Sequence, residues 1–247
     1  MNRRKFLATA ALAAASTRLR AADPTPLKLR IPAKARGAEI PPDYVGLSYE
    51  VQQFVDPAFF STQNTGLIRQ FRALSARGVL RLGGNTSEYG YWKPTADTPE
   101  PKGHSAREVA GQPKDQFYAV TPEAVRNLSG FLDATGWSCI YGIGMGNNTP
   151  DRAAVEAEFV HRTLGDRLQY FQIGNEADLF GSHLRDPKTW GVKPYLAEWL
   201  AMARAITAKV PTARFGMPDV AGHMEWLTAI AAEWPSVQNP PDVTTLT

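Results

Sequence analysis

Short apolar runs alternate along the chain with longer stretches whose apolar residues recur at helical spacing. The short runs cover residues 44–50, 79–82, 137–143, 168–173 and 214–217. Their length and their Tyr, Phe, Ile and Val content suit buried strands. Between them, Leu67, Ile68, Phe71 and Leu74 line one helical face, and Val125, Leu128, Phe131 and Leu132 line another. A later helix turns Leu196, Trp199, Leu200, Ala203 and Ile206 inward. The punctuation agrees with this pattern. Asn64-Thr65, Thr121-Pro122 and Thr149-Pro150 each place a capping oxygen before a helix, twice with Pro at its first position. Gly78, Gly136 and Gly165 stop these helices, Pro194 opens the next, and residues 221–234 form the last. Residues 242–247 read as the start of a further strand. Two polar stretches, 87–116 and 179–193, read as loops, the first long enough to carry function.

Strand-helix alternation predicts an α/β fold with a parallel sheet. The units recur at about 40 residues each, so eight of them would need about 340 residues. The expected architecture is therefore a (β/α)8 TIM barrel, truncated after about five strand-helix units. An open, doubly wound sheet is the alternative. The domain expectation is a targeting segment over residues 1–22 and an incomplete barrel over 23–247.

Composition changes this picture at the beginning of the chain. Arg3, Arg4 and Lys5 precede a run of small apolar residues, the pattern of an export signal. The paired arginines before Phe6-Leu7 resemble a twin-arginine signal, which implies the bacterial periplasm or the outside. The apolar run is too short to span a bilayer, so no stable membrane anchor is expected. The formal charge of +3 also rests on this segment. Without its five basic residues, 22 basic groups face 24 acidic ones, a net of −2. No basic stripe remains for nucleic acid. Cys139 is the only cysteine and lies in an apolar run, which reads as a buried thiol. The four histidines show no metal-ligand spacing, and no cofactor is called for.

The candidate chemistry sits at the ends of the strands. They carry Glu50, then Gly83, Gly84 and Asn85, then Gly144, Gly146, Asn147 and Asn148, then Asn175 and Glu176, then Asp219. In a barrel these positions share one face. Amides and carboxylates suit a ligand with many hydroxyl groups, and Tyr49, Tyr89, Tyr91, Trp92, Tyr118 and Trp190 offer flat apolar faces. A sugar fits both. Glu176 alone also suits the first turn of a helix.

Gly46-Leu47-Ser48-Tyr49-Glu50, Arg81-Leu82-Gly83-Gly84-Asn85-Thr86 and Gln172-Ile173-Gly174-Asn175-Glu176-Ala177-Asp178 together resemble glycoside hydrolase family 79. That family holds the β-glucuronidase and heparanase-like enzymes. The Asn-Glu pair is shared with the wider clan of barrel glycosidases. The resemblance implies a retaining hydrolase of β-linked glucuronic acid. It implies Glu176 as the general acid/base and Asn175 as the partner of the hydroxyl beside the reacting carbon. Glu50, Gly84 and Asn85 fall at the sugar-binding floor. The family's nucleophile is a second Glu at the end of strand seven, which is expected to be missing from this chain, leaving it inactive alone.

Three other readings stand beside this one. Gly142-Ile143-Gly144-Met145-Gly146 follows a strand and precedes a helix, the context of a phosphate-cradling loop, although its spacing departs from the dinucleotide pattern. A non-catalytic sugar binder, or an inactive remnant of the enzyme, would bind uronic sugars without turnover. A third keeps the hydrolase and changes the substrate to another clan member's, such as an arabinofuranoside.

Overall fold

The computed structural model describes Gly37 and residues 39–103 and 116–246. The expected export segment and part of the first long loop lie outside these residues. The chain divides into two units, Met1–Glu39 and Ile40–Thr247.

Its strands are β1 (Gly46–Glu50), β2 (Val79–Gly83), β3 (Gly90–Trp92), β4 (Tyr118–Val120), β5 (Ser138–Ile143), β6 (Leu168–Ile173), β7 (Arg214–Met217) and β8 (Asp242–Leu246). Six of them form one parallel sheet in the order β1-β2-β5-β6-β7-β8. Spatial order follows chain order and never reverses. A doubly wound sheet reverses at a switch point, whereas a barrel winds one way. The sheet is part of a (β/α)8 barrel. The short parallel pair β3-β4 stands apart from it.

The helices are α1 (Thr65–Leu74), α2 (Pro122–Thr135), α3 (Pro150–Leu164), α4 (Val192–Lys209) and α5 (Glu225–Glu233). Each packs against the next in sequence, as an outer ring does. Local chemistry starts them. Thr121 Oγ1 accepts the Ala124 N–H at 3.2 Å, and Thr149 Oγ1 accepts that of Arg152 at 3.4 Å. Gly136, at φ 81°, ends α2 in the left-handed conformation.

The sheet's two faces differ sharply. Leu80, Leu82, Cys139, Tyr141, Ile143, Phe171, Ile173, Phe215 and Met217 alternate along the strands and are almost wholly buried beneath the helices. Val125, Leu128, Phe131, Leu132, Trp199, Ala203 and Ile206 meet them from the helix side. Burial pushes the Cys139 thiol well up, and it is inert core. The opposite face carries Ser48, Arg81, Ile140, Tyr170 and Gln172, mostly half-buried or exposed.

Several boundaries differ from the sequence reading. Helix α1 ends at Leu74, not at Gly78, because Ser75 is already extended (φ −162°, ψ 147°); Gly78 lies against the Trp137 ring, where a Cβ would come within 2.6 Å. Trp137 stands just before β5, its Nε1 donating to the Ser75 carbonyl at 3.0 Å. The stretch expected as a loop from residue 87 opens with a buried 3-10 turn, Asn85–Tyr89, and then strand β3. Helix α5 begins at Glu225 because the N–H groups of Ala221, Gly222 and His223 are bound to Asp178 instead.

Candidate active site

Arg81 gathers the site. It projects from β2 into the sheet's inner face, away from its buried neighbours Leu80 and Leu82. Its Nε donates to Gln172 Oε1 at 2.8 Å and its Nη1 to Ser48 Oγ at 3.1 Å. Its Nη2 donates to Asn175 Oδ1 at 2.8 Å and pairs with Asp219 Oδ2 at 2.5 Å. One guanidinium thereby joins β1, β2 and β6 to the loops after β6 and β7. The fork geometry of arginine makes this possible; a lysine ammonium lacks it.

Arg81 also fixes the Asn175 amide. With Oδ1 accepting from Arg81, Nδ2 faces Asn85 and donates to its Oδ1 at 3.0 Å. Asn175 is buried, and Asn85 is exposed at the opening. Glu176 follows with φ 50° and ψ 46°, a left-handed backbone rare for a residue with a Cβ. That conformation turns the chain out of β6 into the 3-10 turn Ala177–Ser182, so Glu176 does not enter a regular helix. Its carboxyl is half-buried and has no hydrogen-bond partner among the described residues. Burial raises its pKa first, and the negative charges of Asp219 and Asp178 raise it further, against the pull of Arg81. Such surroundings favour the protonated form of the carboxyl, the form a general acid needs.

Glu50 and Gly84 lie against each other. Glu50 Oε2 accepts the Thr86 N–H at 2.9 Å and its hydroxyl at 2.7 Å. Gly84, at φ 75°, allows this, because a Cβ there would overlap the Glu50 carboxylate. One oxygen of Glu50 is therefore committed to the turn.

Glu88 escaped the sequence reading. It is buried, and its Oε2 accepts from Met145 N at 2.8 Å and Gly146 N at 2.5 Å. Its Oε1 accepts from Asn175 N at 2.7 Å, with Ser87 Oγ at 3.3 Å. The glycine-rich loop after β5 does cradle an anion, but the anion is this internal carboxylate. The phosphate-loop reading is corrected on that ground: two of its N–H groups are already taken. The glycines serve close packing, since a Cβ on Gly144 would overlap the Ser87 carbonyl. Both sides of that clash are backbone. Gly144→Ala is expected to destabilise the chain by about 2 kcal/mol or more, read from the urea midpoint.

The loops after β6 and β7 are joined by Asp178, which accepts from Ala221 N, Gly222 N and His223 N at 3.0–3.2 Å. Arg185 holds the loops after β5 and β6, donating to Glu198 at 2.7 Å and to the Gly146 carbonyl at 2.9 Å. The carboxylates around Glu176 are thus all engaged: Asp219 by Arg81, Asp178 by three N–H groups, Glu50 by Thr86. No group of three or more metal-ligating side chains occurs among the described residues.

The aromatic platform is a correction. Tyr89, Tyr91, Trp92 and Tyr118 are buried. Tyr49 packs edge-on against Phe60 at 5.3 Å, and Trp190 stacks on Phe180 at 5.7 Å. Tyr89, Trp92 and Tyr118 belong to the core, and Tyr49 and Trp190 pack half-buried against it.

No protein-family model matches the chain, and no curated protein matches it. Solved structures do. A 4-O-α-L-rhamnosyl-β-D-glucuronidase from Fusarium oxysporum aligns over 79% of this chain and 43% of its own, with TM-score 0.55 and 17% identity. A monomeric β-xylosidase from Caulobacter crescentus aligns over 83% and 41%, with TM-score 0.50 and 16% identity. A GH39 enzyme from Xanthomonas axonopodis pv. citri aligns over 81% and 39%, at TM-score 0.47. The chain spans about two fifths of the length of these structures. At this identity the fold is what is shared: the partial barrel is glycosidase-like. Among the described residues, no helix is long and apolar enough to cross a membrane.

Proposed function

We propose that the chain is part of a retaining glycoside hydrolase of β-glucuronidase type. Carrying this reading is the Asn175–Glu176 pair at the carboxyl end of β6, with an oriented amide beside an unbonded acid whose pKa is raised by burial and by neighbouring negative charge. In this reading Glu176 protonates the leaving oxygen and later activates water. Asn175 offers the free hydrogen of its Nδ2 to the hydroxyl beside the reacting carbon, and Asn85, Gly84 and Glu50 line the floor. Retention requires a second carboxyl about 5–5.5 Å away. The motif resemblance implies a second Glu, at the end of a seventh strand, as this nucleophile, and among the described residues Asp219, Asp178 and one oxygen of Glu50 are engaged by other groups. The glucuronide preference is supported by the motif resemblance and by the name of the Fusarium structure. Export by a twin-arginine-type signal belongs to the same proposal.

The test supplies azide, a small anion that attacks the reacting carbon where the second carboxylate would stand. The aglycone leaves with the proton of Glu176, and a glycosyl azide forms. With phenyl β-D-glucuronide, the full chain alone is expected to turn over little, and azide to raise the rate. Glu176→Gln is expected to lower that rate about 10²–10⁴-fold. Robust turnover without azide refutes the placement of the nucleophile. The engaged carboxylates also favour a second reading, a sugar binder without chemistry, which predicts glucuronate binding by calorimetry and no azide-dependent product. Absence of both binding and turnover sinks both readings.

A further inference from the structure

We propose that Glu88 is an internal anion that positions the Asn175–Glu176 pair. Its carboxylate joins the turn after β2 to the loop after β5 and to the end of β6, through Met145 N, Gly146 N and Asn175 N. The catalytic consequence rests on reading Glu176 as the acid/base; the positioning does not. The Asn175 N–H bond is the last fixed backbone contact before Glu176 turns left-handed. Arg81 and Asn85 hold the side chain of Asn175, and only Glu88 holds its N–H. Side chain and backbone are thereby fixed from opposite sides, which sets where the Glu176 carboxyl emerges. Hydrogen bonds to an ionised acceptor are the strong ones, and three converging N–H groups form an anion nest. The glycines follow from the same arrangement: a Cβ on Gly146 would lie 3.0 Å from Glu88 Oε2. Glu88 is a positioning residue here, touching no substrate.

The test uses the full chain at pH 8, above the value to which burial raises Glu88, and Glu88→Gln, which puts an amide NH2 where one accepting oxygen was. Amide hydrogen exchange at Met145, Gly146 and Asn175 is expected to speed up about tenfold or more, as loss of a charge-assisted hydrogen bond implies. The titration of the Glu176 carboxyl, followed by carbon NMR, is expected to move with it. Glu156→Gln is the control. Glu156 is also buried, on the helix side of β5, and accepts only from Tyr141 Oη, at 2.9 Å. It should leave those three amides and the Glu176 titration unchanged. If Glu88→Gln does not fold, Glu88→Ala is titrated with formate, which fits the vacated nest; formate, and not chloride at equal ionic strength, is expected to restore the native fold and slow exchange at the three amides. Unchanged exchange and titration in Glu88→Gln, or no restoration of Glu88→Ala by formate, overturns the proposal. Neither readout depends on hydrolysis, so failure of the glycosidase reading leaves this test intact.

Discussion

Replacing Arg81 with alanine is expected to destabilise the chain by about 3 kcal/mol and to release the Asn175 amide. The guanidinium and its partner Asp219 are largely buried, with side chains only 25% and 20% exposed. Removing the cation leaves a carboxylate without compensation, which costs more than the intact pair contributes. Burial already raises the pKa of Asp219, and Arg81 is what restrains it. Without Arg81 that carboxyl rises further, and Gln172, Ser48 and Asn175 each lose a donor. Arg81→Lys should recover only part, since one ammonium cannot span four acceptors on four segments. Urea unfolding of the single variants and of Arg81→Ala with Asp219→Asn reads the effect. The second change should restore part of the loss, because it removes the stranded charge. A midpoint unchanged in Arg81→Ala would show that the hub contributes nothing.

The chain is also expected to lose stability as pH rises from about 4.5 to 7. Two buried glutamates carry this effect. Burial raises Glu88 from 4.5 to about 7, against the opposing pull of three backbone N–H groups. It raises Glu156 from 4.5 to about 7, against the hydrogen bond from Tyr141. Between those values each carboxyl is protonated in the folded chain and ionised in the unfolded one, so Glu88 is the anion held by its three N–H groups only above about 7. The folded state then binds more protons, so unfolding free energy falls with pH across this window and levels off above it. Each group contributes on the order of 3 kcal/mol. Glu176 and Asp219 are raised too and act in the same direction. Urea midpoints should therefore be higher at pH 5 than at pH 8, and Glu156→Gln should flatten the dependence. A midpoint that climbs between pH 5 and 8 would contradict the burial argument.

Much of the barrel is legible in sequence because its signals are local. A Thr-Pro pair starts a helix by capping it, and Gly136 stops one by accepting a positive φ. Strand β6 and its Asn175-Glu176 end read directly, since an apolar run bounded by Gly174 has few other solutions. The parallel sheet follows from alternation alone.

The tertiary structure decided the rest. Arg81 meets Asn175 and Asp219 across 94 and 138 residues of chain. Glu88 meets Asn175 across 87. No periodicity spans such distances, and an acid after Thr86-Ser87 looks like any polar turn residue until three N–H groups converge on it. The aromatics show the same limit from the other side. Tyr118 and Trp92 have surfaces fit for a sugar, but burial is a property of what packs around a side chain. Sequence by itself determined the six strands of the main sheet, the caps and the acid at the end of β6. Which charges are buried, and which anion the glycine-rich loop holds, depended on long-range contacts that exist only once the sheet has wound.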